Sequence, residues 1–473
     1  PPKAMIETQK HKSPIHRSFW LEQVAGDAPE EALLMGDQRA DVAIIGGGYV
    51  GLWTALRIKE IDAGCDVVVL EQDICGGGAS GRNGGFVLSY WPKLASLAKI
   101  CGEQDAIQIA RDSEEAIDSI RDFCEAYQIE AHFRRGGWIW TATSQSQMDS
   151  WDSVVRLCDK LGVDAFQELS PQEVAQRSGS PAHRAGVFEA SAATVQPAAL
   201  VRGMRRVALQ RGVRIFEGTR VQAFGRTHPI AIKTNAGVLT AEKLVIASNA
   251  WAAGIRELSR SIVAVTSDMV ITAPVPDELQ NLGWVGGECI TDSLMMVDYY
   301  HATQEGRVAF GKGGWGIAYG GNIGKDFDRN EQRAQNVIAH LHRYYPSLRQ
   351  VPLTHDWSGP IDRTPNSLPV LGRLGGRNHI LYGIGWSGNG VGPSVIGGRI
   401  LASLALERDD DWSRYPLVEW SARRFPPEPI RYIGAHFVRN AVVQKEWAEI
   451  RDQKPPYLAV KLSKLAPSGI EDK

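Results

Sequence analysis

The chain lacks most of what would mark a membrane, secreted or metal-holding protein. Over its 473 residues no apolar run approaches the roughly 20 that span a bilayer. The stretch from Pro1 to Trp20 is polar and basic with no apolar core, so no secretory signal is expected there. The six cysteines (Cys65, Cys75, Cys101, Cys124, Cys158 and Cys289) are scattered, with no C-x-x-C pair. That argues against a disulfide framework and reads as reduced thiols of a cytoplasmic protein. The 11 histidines include no H-E-x-x-H, and no Cys/His group has zinc spacing, so no metal site is expected. An excess of one charge is missing too: 52 basic against 54 acidic residues leave a net charge of −2, with no footprint for nucleic acid or an anionic membrane. There is no internal repeat and no low-complexity tract.

What the chain has is glycine, 49 residues of it, gathered in clusters. The first cluster follows an apolar run, Asp41-Val-Ala-Ile-Ile45, that reads as a buried parallel strand. Gly46-Gly-Gly48-Tyr-Val-Gly51 comes next, then a helical pattern over about Tyr49 to Asp62 stopped by Gly64, then a second strand, Asp66-Val-Val-Val-Leu-Glu71. This is one βαβ unit carrying a dinucleotide fingerprint. Gly46 makes the tight turn, Gly48 lets backbone approach a pyrophosphate, and Gly51 lets helix and strand pack closely. The helix start offers N–H groups and a positive dipole end. Glu71 stands where a carboxylate accepts from ribose hydroxyls and repels a 2′-phosphate, which disfavours NADP.

The second cluster, Gly76-Gly-Gly-Ala-Ser-Gly-Arg-Asn-Gly-Gly85, places bare backbone near the pyrophosphate, with Ser80 and Asn83 as hydrogen-bonding groups. The third, Gly385-Trp-Ser-Gly-Asn-Gly390, lies between a short strand and a helix expected over Ser394 to Leu406. N–H groups at that helix start would stabilise negative charge on a group bound there. Trp357 and Trp386 are candidate cavity walls. Of Tyr299 and Tyr300, neighbours on a strand, one is expected to face the substrate, and Tyr300 is taken as that residue.

These blocks, with Thr194-Val-Gln-Pro-Ala-Ala-Leu-Val-Arg202, Val213-Arg-Ile-Phe-Glu-Gly-Thr-Arg-Val221, Leu244-Val-Ile-Ala-Ser-Asn-Ala-Trp251 and Arg363-Thr-Pro-Asn-Ser-Leu-Pro-Val-Leu-Gly372, resemble in order the D-amino acid oxidase-like (DAO) flavoprotein superfamily over about Asp41 to Leu406. The loop ending at Gly85 is most similar to that of the gamma-glutamylputrescine oxidases, in the amine-oxidase branch. The resemblance implies an α/β protein: a Rossmann-like FAD-binding domain from 36–92, 190–255 and 355–425, and a mixed-sheet α+β substrate domain from 93–189 and 256–354. The tail from 426–473, outside the resemblance, is Pro-rich and charged and is expected to wrap the surface or make contacts. The resemblance also implies FAD held without a covalent link by Gly46, Gly48, Tyr49, Val50 and Gly51, by Glu71 and Gln72, and by Gly78, Ala79, Ser80, Arg82, Asn83, Gly84 and Gly85. Val221 would serve the adenine side, Ser248 and Trp251 would also contact the cofactor, and Gly359, Gly388, Asn389, Gly390 and Val391 would serve the flavin.

The resemblance further implies oxidation of a small amine to an imine, with oxygen as the final acceptor and hydrogen peroxide as product. Lys312 is the candidate catalytic residue, assisting the oxygen reaction. Tyr300, Trp357, Arg363 and Trp386 are the candidate substrate contacts. Where sarcosine oxidases carry a carboxylate-binding lysine after G-H-G, this chain has Gly392, which favours an amine without an adjacent carboxylate unless Arg363 replaces the lysine. A dehydrogenase passing electrons to a quinone or carrier protein, a C–O oxidising enzyme and a flavin-binding protein with little catalysis stand as the rival readings.

Overall fold

The apolar run at Asp41 becomes the second half of a longer strand, Gly36–Ile45. In the computed structural model, which describes residues 16–24, 33–420 and 422–467, this strand lies parallel between Val67–Leu70 and Gly237–Ile246, with Ile45 opposite both Leu70 and Ile246. Residues 1–15 of the polar N-terminal stretch lie outside the described residues. Arg214–Phe216 and Ile380–Ile384 extend the parallel sheet on either side. Val370–Arg373 closes one edge antiparallel, and the hairpin Val221–Phe224/Ile230–Thr234 pairs with the first half of Gly237–Ile246.

The all-apolar Val67–Leu70 is buried on both faces, as a central parallel strand must be. Val42, Ile44, Val67 and Val69 pack against Leu52 and Leu56 of helix Tyr49–Ile61, Leu200 and Val201 of helix Pro197–Gln210, and Ile400 of helix Ser394–Ala405. The alternate residues Ala43, Val68 and Leu70 turn to the other face, toward Ile230 and Ile232. Two glycines allow the close approach. A Cβ on Gly51 would stand 2.0 Å from the Gly46 carbonyl oxygen, and one on Gly398 would stand 2.5 Å from Trp53 Cβ.

A second sheet runs in the order Leu353–Arg363, Val263–Thr272, Val308–Ile317, Asp298–Ala302, Cys289–Thr291, Trp138–Ala142, Ala185–Glu189, Gln167–Leu169. All neighbours are antiparallel except Cys289–Thr291 beside Trp138–Ala142. Helix Glu331–Tyr344 covers it through Val337 and Leu341 against Val270 and Phe310. Leu353–Arg363, most of which was expected in the FAD-binding segment starting at 355, pairs in this sheet. The tail, expected to wrap the surface or make contacts, does so as regular structure. It forms a 20-residue helix, Ile430–Glu449, fastened by Arg431 to the Ile262 carbonyl (3.0 Å) and by Arg439 to the Trp315 carbonyl (3.1 Å).

Candidate active site

The carboxyl ends of the parallel strands, at Ile45, Leu70 and Ala247, open into one cleft of about 1590 Å³ that continues to the second sheet at Ser267, Tyr299 and Gly359. Ligands of parallel α/β sheets bind at that end of the strands. The volume exceeds the ~300–1,000 Å³ of a pocket for one drug-sized molecule, leaving room for a dinucleotide and a small substrate.

At the first-sheet end the wall is largely backbone. Gly46 has φ +113, and a Cβ there would lie 2.5 Å from the Ala247 carbonyl oxygen, so the turn needs glycine. Helix Tyr49–Ile61 starts at the wall with Gly48 as its N-cap and no side-chain cap. Ser80 Oγ accepts from Tyr49 N–H (3.0 Å), and a Cβ on Gly48 would come within 2.8 Å of that oxygen. Glu71 lines the cleft with its carboxylate oxygens accepting from the N–H groups of Gly47 (2.8 Å) and Asp73 (2.9 Å). Burial raises its pKa to about 7, against the lowering effect of those bonds. Gly78 runs beneath Trp251, whose ring a Cβ would meet at 3.3 Å.

Arg82 and Asn83 also line the cleft, but their polar atoms work on the loop itself. Arg82 donates to the carbonyls of Gly77 (2.8 Å) and Ser358 (3.1 Å), and Asn83 donates to those of Ala79 (3.1 Å) and Ser80 (2.9 Å). The two sheets meet at Gly84, where a Cβ would stand 2.7 Å from the Tyr299 ring. Tyr299 is fixed by a 2.6 Å bond between its hydroxyl and Ser267 Oγ.

A buried carboxyl that sequence reasoning missed shapes the third glycine cluster. Asp362 accepts from Gly385 N–H (2.6 Å) and Trp386 N–H (3.0 Å), and burial raises its pKa to about 7. It thereby turns Trp386, Ser387, Gly388, Asn389, Gly390 and Val391 onto the cleft wall. Asn389 donates to the Ser89 carbonyl (3.0 Å). The signal for Asp362 was its place immediately before Arg363, at the end of a strand.

Most of the residues singled out in the sequence come together on this wall: Gly46, Gly48, Tyr49, Val50, Glu71, Gln72, Gly78, Ala79, Ser80, Arg82, Asn83, Gly84, Val221, Ser248, Trp251, Gly359, Arg363, Trp386 and the 388–391 turn. Five do not. Gly51 and Gly85 are packing glycines, the latter with its Cβ position 2.2 Å from the Val195 carbonyl oxygen. Trp357 is core, donating to the Arg82 carbonyl (2.8 Å) with its ring edge-on to Trp20. Tyr300 faces away from the cleft, stacked on Phe310 and hydrogen-bonded to His183. Lys312 shares that back face, 1% exposed, donating to the Met296 carbonyl (2.6 Å) and paired with Asp298 (3.3 Å).

The reason is strand alternation. Gly311 stands opposite Tyr299, on the cleft side, while Lys312 stands opposite Asp298, behind the sheet. The tyrosine pair was read one residue out of register. Sequence reasoning also missed Lys93, Trp138, Thr291, Met295 and Val297, all on the wall. They are ordinary residues in unremarkable stretches until the second sheet assembles.

The wall fits FAD: a helix start with glycine at its N-cap for the pyrophosphate, bare glycine backbone along the length, and a second turn of glycines where the flavin ring would lie. Comparison with known proteins agrees. A family model described as FAD dependent oxidoreductase (DAO) matches residues 41–404. Gamma-glutamylputrescine oxidoreductase of Escherichia coli (strain K12) is 28% identical over 403 residues, 84% of this chain and 91% of that protein. Glycine oxidase of Geobacillus kaustophilus (strain HTA426) is 25% identical over 396 residues, covering 80% and 96%. Among solved structures, glycine oxidase from Geobacillus kaustophilus superposes with a TM-score of 0.65 at 22% identity, covering 81% of this chain and 99% of that one. L-proline dehydrogenase from P. horikoshii gives 0.61 at 21%, covering 78% and 94%.

Proposed function

The chain belongs to the DAO family of FAD-dependent oxidoreductases, and from that premise we propose that it oxidises the carbon–nitrogen bond of a small amine or amino acid. FAD is the cofactor. When bound, it supplies the acceptor for a hydride from the carbon beside the nitrogen, and its reoxidation by oxygen would yield hydrogen peroxide. The imine released hydrolyses in water to a carbonyl compound and an amine or ammonia.

The observation that carries this reading is the junction at Gly84 and Tyr299, where the dinucleotide wall meets the second-sheet part of the same cleft, called the chamber below, on whose lining stand Trp138, Met295, Val297 and Tyr299. Such a wall desolvates an amine and favours its neutral form, the one with a nitrogen lone pair to release. Burial pushes the Tyr299 phenol far up, so it stays protonated and acts as a hydrogen-bonding group held by Ser267.

The substrate's charge is a finer point. Gly392 is off the wall, and a Cβ there would meet the Leu88 carbonyl oxygen at 2.8 Å. Its missing side chain therefore argues little against a carboxylate. Arg363 and Lys93 are on the wall. Burial lowers the Arg363 pKa to about 10, which leaves it charged at neutral pH. A carboxylated substrate therefore stands as an alternative beside the uncarboxylated amine expected from Gly392.

A panel of amines and amino acids in air, scored for peroxide and carbonyl product, tests the reaction; turnover only of hydroxy acids would overturn it. The displacement of Lys312 from the cleft favours one second reading, in which an artificial acceptor dye supports turnover and oxygen does not. We also propose that FAD is held without a covalent link, since none of the six cysteines lines the cleft and the histidine that does, His16, is hydrogen-bonded through Nε2 to the Asp356 carbonyl (2.7 Å). Acid precipitation should then leave yellow flavin in the supernatant, and a yellow pellet would contradict it. The unpaired thiols likewise suit a cytoplasmic location.

A further inference from the structure

The loop joining Thr291 to Asp298 forms part of the chamber wall, through Thr291, Met295 and Val297. Its apex is held from behind at both backbone groups of a single residue. Met296 N–H donates to Glu446 Oε1 (2.6 Å), and the Met296 carbonyl accepts from Lys312 Nζ (2.6 Å). The loop's base is closed by Asp292, whose Oδ1 accepts from Leu294 N–H (3.2 Å) and Asp298 N–H (2.9 Å). Lys312 also pairs with Asp298 (3.3 Å) and lies 3.7 Å from Glu446.

Glu446 does not come from the catalytic fold. It stands near the end of the tail helix Ile430–Glu449, itself clamped by Arg439 on the Trp315 carbonyl and, just beyond its end, by Asp452, which accepts from Gln145 N–H (2.8 Å) and pairs with Arg184 (2.8 Å).

We propose that the tail helix is a latch on the substrate chamber: Glu446, with Lys312, positions the loop around Met296 and so sets the shape of the wall that Met295 and Val297 present to the substrate. Glu446 is a positioning residue; it touches neither the cleft nor the cofactor wall. The geometry is specific, because one carboxylate oxygen captures a backbone N–H at the apex of the loop, where a charge-assisted bond is short and directional. Releasing it loosens the loop on the Met295 side, Val297 keeping the bond its carbonyl accepts from Gly313 N–H (3.2 Å), and leaves the dinucleotide end, built on the other sheet, intact. The link to substrate affinity rests on the amine-oxidising reading of the cleft; the latch itself does not.

The test compares Glu446→Ala with Glu446→Gln in the holoenzyme. Gln keeps an oxygen at the accepting position, and Ala removes it. Hydrogen exchange across 292–298 reads the latch with no substrate present. Exchange should quicken at least roughly tenfold in the Ala variant and stay near wild type in the Gln variant. Iodide quenching of the bound flavin's fluorescence, also free of substrate, should rise only in the Ala variant. With an amine that the wild type oxidises, KM should rise roughly tenfold in the Ala variant, with kcat and flavin content held and Gln restoring the affinity. Unchanged exchange in the Ala variant overturns the latch. Quickened exchange with unchanged quenching and KM, or a parallel fall of kcat and flavin content with KM constant, overturns its role in shaping the chamber. If no amine reduces the wild-type flavin, the reading of function fails while exchange and quenching still decide the latch.

Discussion

The two ends of the cleft are built in opposite ways. At the first-sheet end backbone forms the wall and side chains serve it: Ser80 takes a helix N–H, Glu71 takes two loop N–H groups, and Arg82 and Asn83 bind their own loop's carbonyls. At the second-sheet end side chains form the wall, and the backbone that carries them is held from behind by Lys312, Asp292 and Glu446. The first arrangement suits a large ligand of constant shape, whose phosphates and flat rings need close backbone approach. The second suits a small substrate, since wall residues can change without disturbing the strands beneath.

The sharpest way to break this comparison is to put a side chain where only backbone should be. Gly48→Val should abolish FAD binding, because its Cβ would crowd Ser80 Oγ and its methyl groups would project into the cleft. The purified variant should be colourless. Full flavin absorbance would show that the first-sheet wall is not the pyrophosphate site.

Next in size is a change behind the second sheet. Lys312→Met removes the buried ammonium from Asp298 and leaves it only His340 (2.6 Å) as a basic partner, a loss of up to about 3–5 kcal/mol for breaking a buried pair. Denaturant unfolding should show that loss. A variant of native stability whose only fault was a slow reaction with oxygen would return Lys312 to the chemistry and undo the distinction between the two faces of the strand.

How much of this was legible in the sequence follows the same division. Strand, glycine turn and helix at 41–61 are local, so their pattern stood out in a window of some twenty residues and the helix came within a residue of its end. The third glycine cluster was equally plain: the expected helix Ser394 to Leu406 is observed as Ser394–Ala405. The second sheet joins Trp138–Ala142 to Cys289–Thr291, strands distant in sequence, and no local pattern announces such a partner. Register failed there for a related reason. Tyr299 and Tyr300 are chemically alike, and only pairing with Gly311 and Phe310 tells which one faces the cleft. The tail was obscured by its prolines, which sit before and after the helix rather than within it.

A smaller effect sharpens the comparison at the point where the two ends meet. Arg363→Met should cost ten- to hundred-fold in kcat/KM for carboxylated substrates, matching about 1.5–3 kcal/mol for a hydrogen bond to a charged group. Matched amines with and without the carboxylate should converge in the variant. If the uncarboxylated partner is already the better substrate of the wild type, the cations on the wall have another role and the Gly392 expectation stands.

The most direct test of the account is anaerobic. The yellow holoenzyme, sealed without oxygen, is mixed first with a hydroxy acid and then with the amino acid of the same carbon skeleton, and the flavin band is followed. The account predicts no change with the first and bleaching with the second, one carbonyl product appearing for each flavin reduced. Bleaching by the hydroxy acid alone, or by neither across the full amine panel, would contradict it.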